Sequence, residues 1–346
     1  MGMGRWMRKL AGYSVIVISL AIGWGWIKYD VYQDTPLFDG DEVLYYSVKP
    51  GSSVKRIARE LAAAEIITQP HFFEWFARSA GLAQRIQQGE YAIDGEMTPR
   101  QLLSNMAAGK VVQYPMTIVE GWNFKQLRTF LARHDALQHT LDGLSDAEVM
   151  TKIGFPDEHP EGRFLPDTYH FPRGTTDVDF LKRAYQMMDE TLARLWEERE
   201  PELPIKTPYQ ALILASIIER ETGLPSERPE IAGVFARRLQ KNMRLQTDPT
   251  VIYGMGDEYQ GNIRRRDLRR DTPYNTYTRH GLPPTPIALP SAAAIEAALH
   301  PKPGATFYFV ARGDGSHSFS TTLAEHNRAV VKYQLKGRNR PFSSSP

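Results

Sequence analysis

An uncharged segment near the N-terminus constrains the fold of this 346-residue chain more than any other feature. The segment runs from Leu10 to Ile27, and a helix of that length, rising about 1.5 Å per residue, just crosses a hydrocarbon core of about 30 Å. Trp24, Trp26 and Tyr29 lie at its far end, where interfacial aromatic residues are common. The sequence therefore predicts one transmembrane helix over 10–27.

The charges on either side of this segment predict its orientation. Arg5, Arg8 and Lys9 precede it, and aspartates follow it between positions 30 and 41. By the positive-inside rule, residues 1–9 stay in the cytoplasm and the chain after the helix lies outside it. A cleaved signal peptide is the alternative, but the apolar run is longer than a usual signal-peptide core and no small-residue cleavage site follows Trp26.

The composition excludes several kinds of site. The chain has no cysteine, so it has no thiol nucleophile, thiolate metal site or disulfide. Its nine histidines contain no pair with metal-site spacing such as HExxH, and we therefore predict neither a metal nor a cofactor. A formal net charge of +2 gives no reason to expect a nucleic-acid partner.

The periodicity after the helix predicts an α+β chain in several parts. A short polar linker over 28–41 is followed by a small module over 42–113, in which strands alternate with amphipathic helices. One of these helices carries Phe72, Phe73, Trp75 and Phe76, which we assign to core packing, with stacking on sugars as the alternative. A larger domain of helices, short strands and polar loops covers 114–335, and a Ser/Pro-rich tail over 336–346 is predicted to be disordered.

A predicted helix from about Tyr209 to Thr222 carries the most unusual carboxyl group. Its apolar face is interrupted by Glu219, whereas Glu221 is about 200° further around the helix. Burial and the C-terminal end of the helix dipole both disfavour an ionised carboxylate, so Glu219 is expected to hold a proton and to act as a general acid. The alternative is an ion pair with Arg220, Arg237 or another arginine.

Five motifs in a fixed order carry a resemblance to a known family. They are EGRFLPDTY (161–169), LASIIERET (214–222), RLQKNMRLQTDPTVIYG (238–254), PYNTYTRHGLPPTPI (273–287) and HSFSTTLAEHN (317–327). Together they resemble the endolytic murein transglycosylases of the YceG-like family, over almost the whole chain.

The resemblance implies a fold, a reaction and a location. The expected fold is α+β, with an N-terminal transmembrane helix, a small LysM-like module and a larger mixed α/β catalytic domain. The expected reaction is endolytic cleavage of the β-1,4 bond between N-acetylmuramic acid and N-acetylglucosamine in nascent peptidoglycan, which forms 1,6-anhydromuramyl ends and terminates strand elongation. The expected location is the inner membrane, with the catalytic domain in the periplasm and peptidoglycan synthases or division proteins as partners.

The resemblance also implies that Glu219 is the catalytic glutamate. One acid suffices for this chemistry, because the C6 hydroxyl of the muramic acid can attack C1 and a second carboxylate is not needed to activate water. We therefore expect Glu219→Gln to remove activity and leave the fold stable. Glu161 and Asp167 are rival acids, and either of them close to Glu219 would make a retaining muramidase possible.

Other polar residues of the motifs are candidates for binding acetamido groups and hydroxyls, or for orienting the acid. These residues are Asp248, Asn275, Tyr277, His317, Glu325 and Asn327. Turn and cap roles that satisfy buried backbone are the alternative for each. A non-catalytic cell-wall scaffold is the alternative for the chain as a whole, although a scaffold has no use for a carboxylate on an apolar helix face.

Overall fold

The computed structural model describes residues 3–335, and they form two compact units. The first unit contains residues up to Tyr114 together with His170–Gly174, and the second contains Pro115–Tyr169 and the chain from Thr175 onward. The predicted disordered tail, 336–346, lies outside the described residues. We describe each unit by itself.

The first unit combines five helices and strands with one long N-terminal helix. Its elements are α1 (Met3–Gln33), β1 (Leu44–Val48), α2 (Val54–Ala63), α3 (Pro70–Ser79), β2 (Gly89–Ile93) and α4 (Pro99–Ala108). Strands β1 and β2 pair antiparallel, with Leu44 opposite Ile93. Helix α4 has sharp ends, because Thr98 and Gln101 form a capping box before it and Gly109 ends it at φ +67°.

Helix α1 is apolar and exposed where the sequence predicts a membrane span. Leu10–Gln33 is long and apolar enough to cross a bilayer, and none of its most apolar stretch is buried in the protein. The helix also runs six residues past the predicted end at Ile27. Among the described residues, no other helix has this length and composition.

The predicted linker over 28–41 is largely part of the first unit. Helix α1 continues for almost two turns past Ile27. Tyr29 and Tyr32 on this continuation are buried in the core together with Leu37. Around them pack Ile57, Leu61, Phe73 and Leu102, which come from α2, α3 and α4. The sequence reading missed this because aspartates between these apolar positions make the segment polar on average.

The remaining elements belong to the second unit or lie at its border with the first. They are β3 (Gln113–Thr117), α5 (Phe124–Leu131), β4 (Leu137–Gln138), α6 (Asp146–Ile153), β5 (Thr168–Pro172), β6 (Thr175–Thr176), α7 (Asp177–Glu197), α8 (Pro208–Glu221), α9 (Arg228–Gln240), α10 (Asp248–Met255), α11 (Arg265–Arg269), α12 (Ala292–Leu299), β7 (Tyr308–Ala311), β8 (His317–Ser320) and α13 (Leu323–Tyr333). Strand β3 pairs with β5, β4 is parallel to β6, and β7 forms an antiparallel hairpin with β8.

Helix α8 is the centre of the second unit. Thr207 caps its N-terminus by accepting a hydrogen bond from the Gln210 N–H, and Pro208 occupies the first turn. Every residue from Ala211 to Ile218 is buried, because α7, α9, α10 and α12 pack around the helix. The fold therefore holds the C-terminal end of α8, with its two glutamates, in a fixed position.

Candidate active site

Glu219 and Glu221, at the C-terminal end of α8, lie in different surroundings. Glu219 points to the start of α12. Its side chain is 5% exposed, and its Oε1 accepts a hydrogen bond of 2.9 Å from the Arg228 Nη2. Its Oε2 accepts bonds from the N–H and the hydroxyl of Ser291, at 2.9 and 2.5 Å. Ser291 is the N-cap of α12, so Glu219 links α8 to both α9 and α12.

This arrangement is the ion pair that the sequence left open as an alternative. The partner is Arg228, whereas Arg220 and Arg237 donate to backbone carbonyls elsewhere. Both oxygens of Glu219 are bound to charged or capping groups, and it is absent from the lining of the cleft described next. These contacts fix the position of the Glu219 carboxylate between α9 and the start of α12.

Glu221 lies in the wall of a cleft of about 620 Å³. Its side chain is half-buried, and its Oε1 accepts a hydrogen bond from the Thr247 hydroxyl. Burial raises the pKa of Glu221 to about 7, and the charge of Asp248 acts in the same direction, against the opposing effects of Thr247 and Arg238. A carboxyl with this pKa is partly protonated at neutral pH and can both give and take a proton.

Residues of several other segments complete the cleft. The lining includes Arg238 from α9, Asp248 at the start of α10, Tyr277, and His317 and His326 from the hairpin and α13. These groups supply hydrogen-bond donors and acceptors along an open groove, and Tyr308 and Phe309 add aromatic surface. Such a lining suits a polar polymer with apolar ring faces.

A buried cluster of three threonines fixes the base of the cleft. The Thr247 N–H donates to the Thr276 hydroxyl at 3.1 Å, and the Thr250 hydroxyl donates to the Thr247 carbonyl at 2.8 Å. The hydroxyls of Thr250 and Thr276 are 2.9 Å apart. Gln246, at φ +51°, turns the chain so that Thr247 reaches Glu221 and Asp248 faces the cleft. The sequence reading named Asp248 but missed Thr247, although Thr before Asp-Pro is a signal for a helix N-cap.

The structure brings three of the predicted binding residues together in the cleft. Tyr277 donates its hydroxyl to the Asp248 Oδ1 at 2.5 Å, and both line the groove. His317 lines it as well, with its Nδ1 2.7 Å from the Glu227 Oε2. Partial burial alone would raise the pKa of Glu227, but the hydrogen bonds from His317 outweigh it and hold this pKa below its ordinary value.

The other three predicted binding residues are not among those that line the cleft. Asn275 is buried; its amide nitrogen donates to the carbonyls of Asp267, Leu268 and Arg270, and its oxygen accepts from the Tyr277 N–H. Glu325 closes the capping box of α13. Asn327 is half-buried on the same helix. Asn275 and Glu325 thus have the cap and turn roles given as the alternative, and Asn275 positions Tyr277.

The two rival acids are separate from Glu221. Asp167 is exposed and accepts a bond from the adjacent Thr168 N–H. Glu161 is buried where α5 begins, accepting bonds from the Phe124 N–H at 3.1 Å and the Tyr253 hydroxyl at 3.0 Å. Neither residue lines the cleft.

Glu161→Gln is expected to stabilise the protein at alkaline pH. Burial raises the pKa of Glu161 to about 7, above its value in an unfolded chain, so the stability contribution of the proton is complete at low pH and is lost as the pH rises through about 7. Glutamine carries no such charge and should raise the free energy of unfolding at pH 8 by about 1–3 kcal/mol. Urea unfolding at pH 5 and pH 8 measures this.

The exposed Glu258, paired with Arg270, provides the matched control for that comparison. Glu258→Gln should change the stability little at either pH. The Glu161→Gln variant should retain the part of the pH dependence that comes from Glu221. A Glu161→Gln gain of the same size at pH 5 and pH 8 would contradict the assignment, because the effect must follow ionisation.

The described residues contain no cluster of three or more histidine, aspartate or glutamate side chains that could hold a metal ion.

Comparison with known proteins identifies the family. The model of the YceG-like family matches residues 46–332. An endolytic murein transglycosylase of Bacillus subtilis is 30% identical over 312 residues, covering 85% of this chain and 86% of the relative. One from Streptococcus pneumoniae is 25% identical over 363 residues, covering 92% of this chain and 64% of the relative. The crystal structure of a YceG-like protein from Listeria monocytogenes matches with a TM-score of 0.52 and 28% identity, over 84% of this chain and 99% of that one. The chain belongs to the YceG-like family.

Proposed function

We propose that this chain is an endolytic murein transglycosylase in which Glu221 is the general acid and base, with Glu219, the residue that the family motif implies, as the alternative. The observation that carries the assignment is the position of Glu221 in the cleft wall, with its pKa near 7. Glu219 is held in a buried ion pair and does not line the cleft. The substrate proposed for the groove is a peptidoglycan glycan strand, on which the named relatives act.

A single carboxyl group at this position can carry both proton transfers. Protonated Glu221 gives its proton to the leaving N-acetylglucosamine oxygen as the bond from C1 of N-acetylmuramic acid breaks. The C6 hydroxyl of the same muramic acid then bonds to C1, and its proton returns to Glu221. The products are a 1,6-anhydromuramyl end and a new N-acetylglucosamine end. No water is consumed and the carboxyl group regains its starting state.

The neighbours of Glu221 support this cycle in different ways. Thr247 fixes one carboxyl oxygen by its hydrogen bond. Asp248 favours the protonated form of Glu221 and places a negative charge in the groove where positive charge develops at C1. Tyr277 orients Asp248 by donating to its Oδ1, and Asn275 in turn holds the Tyr277 backbone.

The product distinguishes this mechanism from hydrolysis. We expect digestion of glycan strands in ¹⁸O-labelled water to give 1,6-anhydro-N-acetylmuramic acid ends without label, because the intramolecular hydroxyl has an effective concentration of about 10⁵ M or more when well oriented. Mass spectrometry of the fragments measures this. A reducing muramic acid end carrying ¹⁸O would show hydrolysis, and would make Asp248 the candidate second carboxylate.

We propose that the N-terminal part of the chain places this activity at the outer side of the inner membrane. Helix α1 would span the membrane with residues 1–9 in the cytoplasm, and residues 42–113 would form a LysM-like module between the span and the catalytic domain, 114–335. The strand–helix–helix–strand order β1–α2–α3–β2 supports the module assignment. Peptidoglycan synthases or division proteins are the partners expected at this location.

The orientation has a direct test. A periplasm-active reporter such as alkaline phosphatase, fused after Pro346, is expected to be active, because the basic cluster before α1 keeps the N-terminus in the cytoplasm. The same reporter fused before Met1 serves as the matched control and should be inactive. Activity of a cytoplasm-only reporter at the C-terminal fusion point would reverse the topology.

A further inference from the structure

Trp75, on α3 of the first unit, is exposed beside the end of the apolar segment of α1. Trp75 on α3 keeps 44% of its surface accessible, whereas its neighbours Phe73 and Phe76 are buried in the core. The prediction of core packing for this aromatic cluster therefore holds for the phenylalanines and leaves Trp75 without a protein environment over much of its ring. Exposed apolar surface that is contiguous with another exposed aromatic ring, as Trp75 is with Trp26, marks an interaction site.

The position of Trp75 along the membrane normal is set by α1. Its ring centroid is 6.0 Å from that of Trp26 and 4.0 Å from that of Tyr29. Trp26 is itself 61% exposed, at the end of the uncharged segment. Because interfacial tryptophans sit at the headgroup level, a ring within 6 Å of Trp26 has to lie at nearly the same depth.

Packing contacts fix the end of α1 against the other helices of the first unit, and these contacts maintain the depth of Trp75. Tyr29 and Tyr32 are buried in the unit, and Phe72 packs edge-on against Tyr29 at 5.9 Å. Just beyond the helix, the Asp34 carboxylate pairs with the Arg100 guanidinium on α4 at 2.9 Å. The end of α1 is thus packed directly against α3 and α4, without a flexible linker between them.

We propose that α3 lies on the lipid surface, with Trp75 inserted among the phospholipid headgroups beside Trp26. The exposed charged groups nearby fit this placement. Lys28 covers the Trp24 ring with its amine 5.7 Å from the centroid, and Arg78 on α3 has a 62% exposed side chain, although it also pairs with Glu74 at 2.7 Å. Each long side chain can present its charge to lipid phosphates while its hydrocarbon stem stays at the apolar boundary. The inference rests on the proposed membrane span and is independent of the catalytic assignment.

The absence of cysteine from the chain allows a clean test. Single-cysteine variants Trp26→Cys, Trp75→Cys and Arg59→Cys of the full chain are labelled with an environment-sensitive fluorophore and placed in phosphatidylethanolamine–phosphatidylglycerol nanodiscs. Lipids carrying a nitroxide near the headgroup are the quenchers. Arg59 is exposed on α2 and is the control on a different helix of the same unit. Replacing Trp75 also removes its contact with Tyr29. His71 is exposed one turn earlier on the same face of α3, so His71→Cys measures quenching at this face without disturbing that contact.

We expect quenching at positions 75 and 71 to approach that at position 26 and to exceed that at position 59 about threefold or more, since only the former would lie in the headgroup region. Quenching at 26 with none at 75 and 71 would overturn the placement of α3 while keeping the span. Equal quenching at 59 would also overturn it, since lipid would then not select this face. No quenching at position 26 would remove the span on which the inference rests.

Discussion

Glu221→Gln is expected to lower kcat/KM for glycan-strand cleavage by ~10² or more, in line with the loss of a general acid. Glutamine keeps the shape of the side chain and can still accept the hydrogen bond from Thr247. It has no proton to give to the leaving oxygen and cannot take one from the C6 hydroxyl. The measurement is the rate of release of soluble muropeptides from purified sacculi by wild type and variant at equal concentration.

The pH dependence of wild-type kcat/KM is a second, independent test of Glu221 as the general acid. Cleavage requires the protonated carboxyl group, so kcat/KM should fall as the pH rises through about 7, where Glu221 loses its proton. Asp248→Asn should move this fall to lower pH, because it removes a negative charge that favours the protonated form.

The matched control is Glu219→Gln, two residues earlier on the same helix. It should keep cleavage activity under conditions where the protein is folded, because Glu219 is not part of the cleft lining. If Glu219→Gln abolished cleavage in a folded protein and Glu221→Gln retained it, the original sequence-based assignment would stand. Equal losses at both positions would show that the cleft has been placed wrongly.

The sequence predicted the existence and type of the main elements well. The helix that carries the two glutamates was predicted from about Tyr209 to Thr222 and is observed at Pro208–Glu221. In this segment the local signals, such as Thr207 and Pro208 at a helix start, agree with the tertiary packing.

The choice between Glu219 and Glu221 required tertiary information. The argument from one apolar face assumes that the opposite face of a helix meets solvent, but α8 is buried on all sides from Ala211 to Ile218. Helical periodicity therefore predicts that the two side chains point in different directions, but it does not predict which of them lines the cleft. Arg228 and Thr247, which bind the two carboxylates, come from other segments of the chain. The continuation of α1 through Tyr32 also depends on tertiary contacts, since its aromatic partner Phe72 lies on α3.

Glu219→Gln is expected to destabilise the fold by about 3 kcal/mol, the lower end of the range for breaking a buried ion pair. The sequence alone led to the opposite expectation, that removing this charge leaves the stability unchanged. In the structure the Arg228 side chain is 9% exposed and depends on Glu219 for its shorter ion-pair contact, with Glu120 at 3.3 Å as the second partner. Glutamine would leave that buried cation largely uncompensated, while Glu120 would retain part of the pairing.

Urea unfolding in detergent, followed by circular dichroism, measures this loss against wild type. The double variant Glu219→Leu/Arg228→Met is the sharpest control, because it removes both charges and leaves apolar groups of similar length. If the loss comes from an unpaired buried cation, the double variant should be more stable than Glu219→Gln alone, since replacing a whole buried pair is often neutral. The N–H of Ser291 loses its acceptor in this double variant, so recovery should be incomplete. A double variant no more stable than the single one would instead place the main contribution of Glu219 in its bonds to the start of α12.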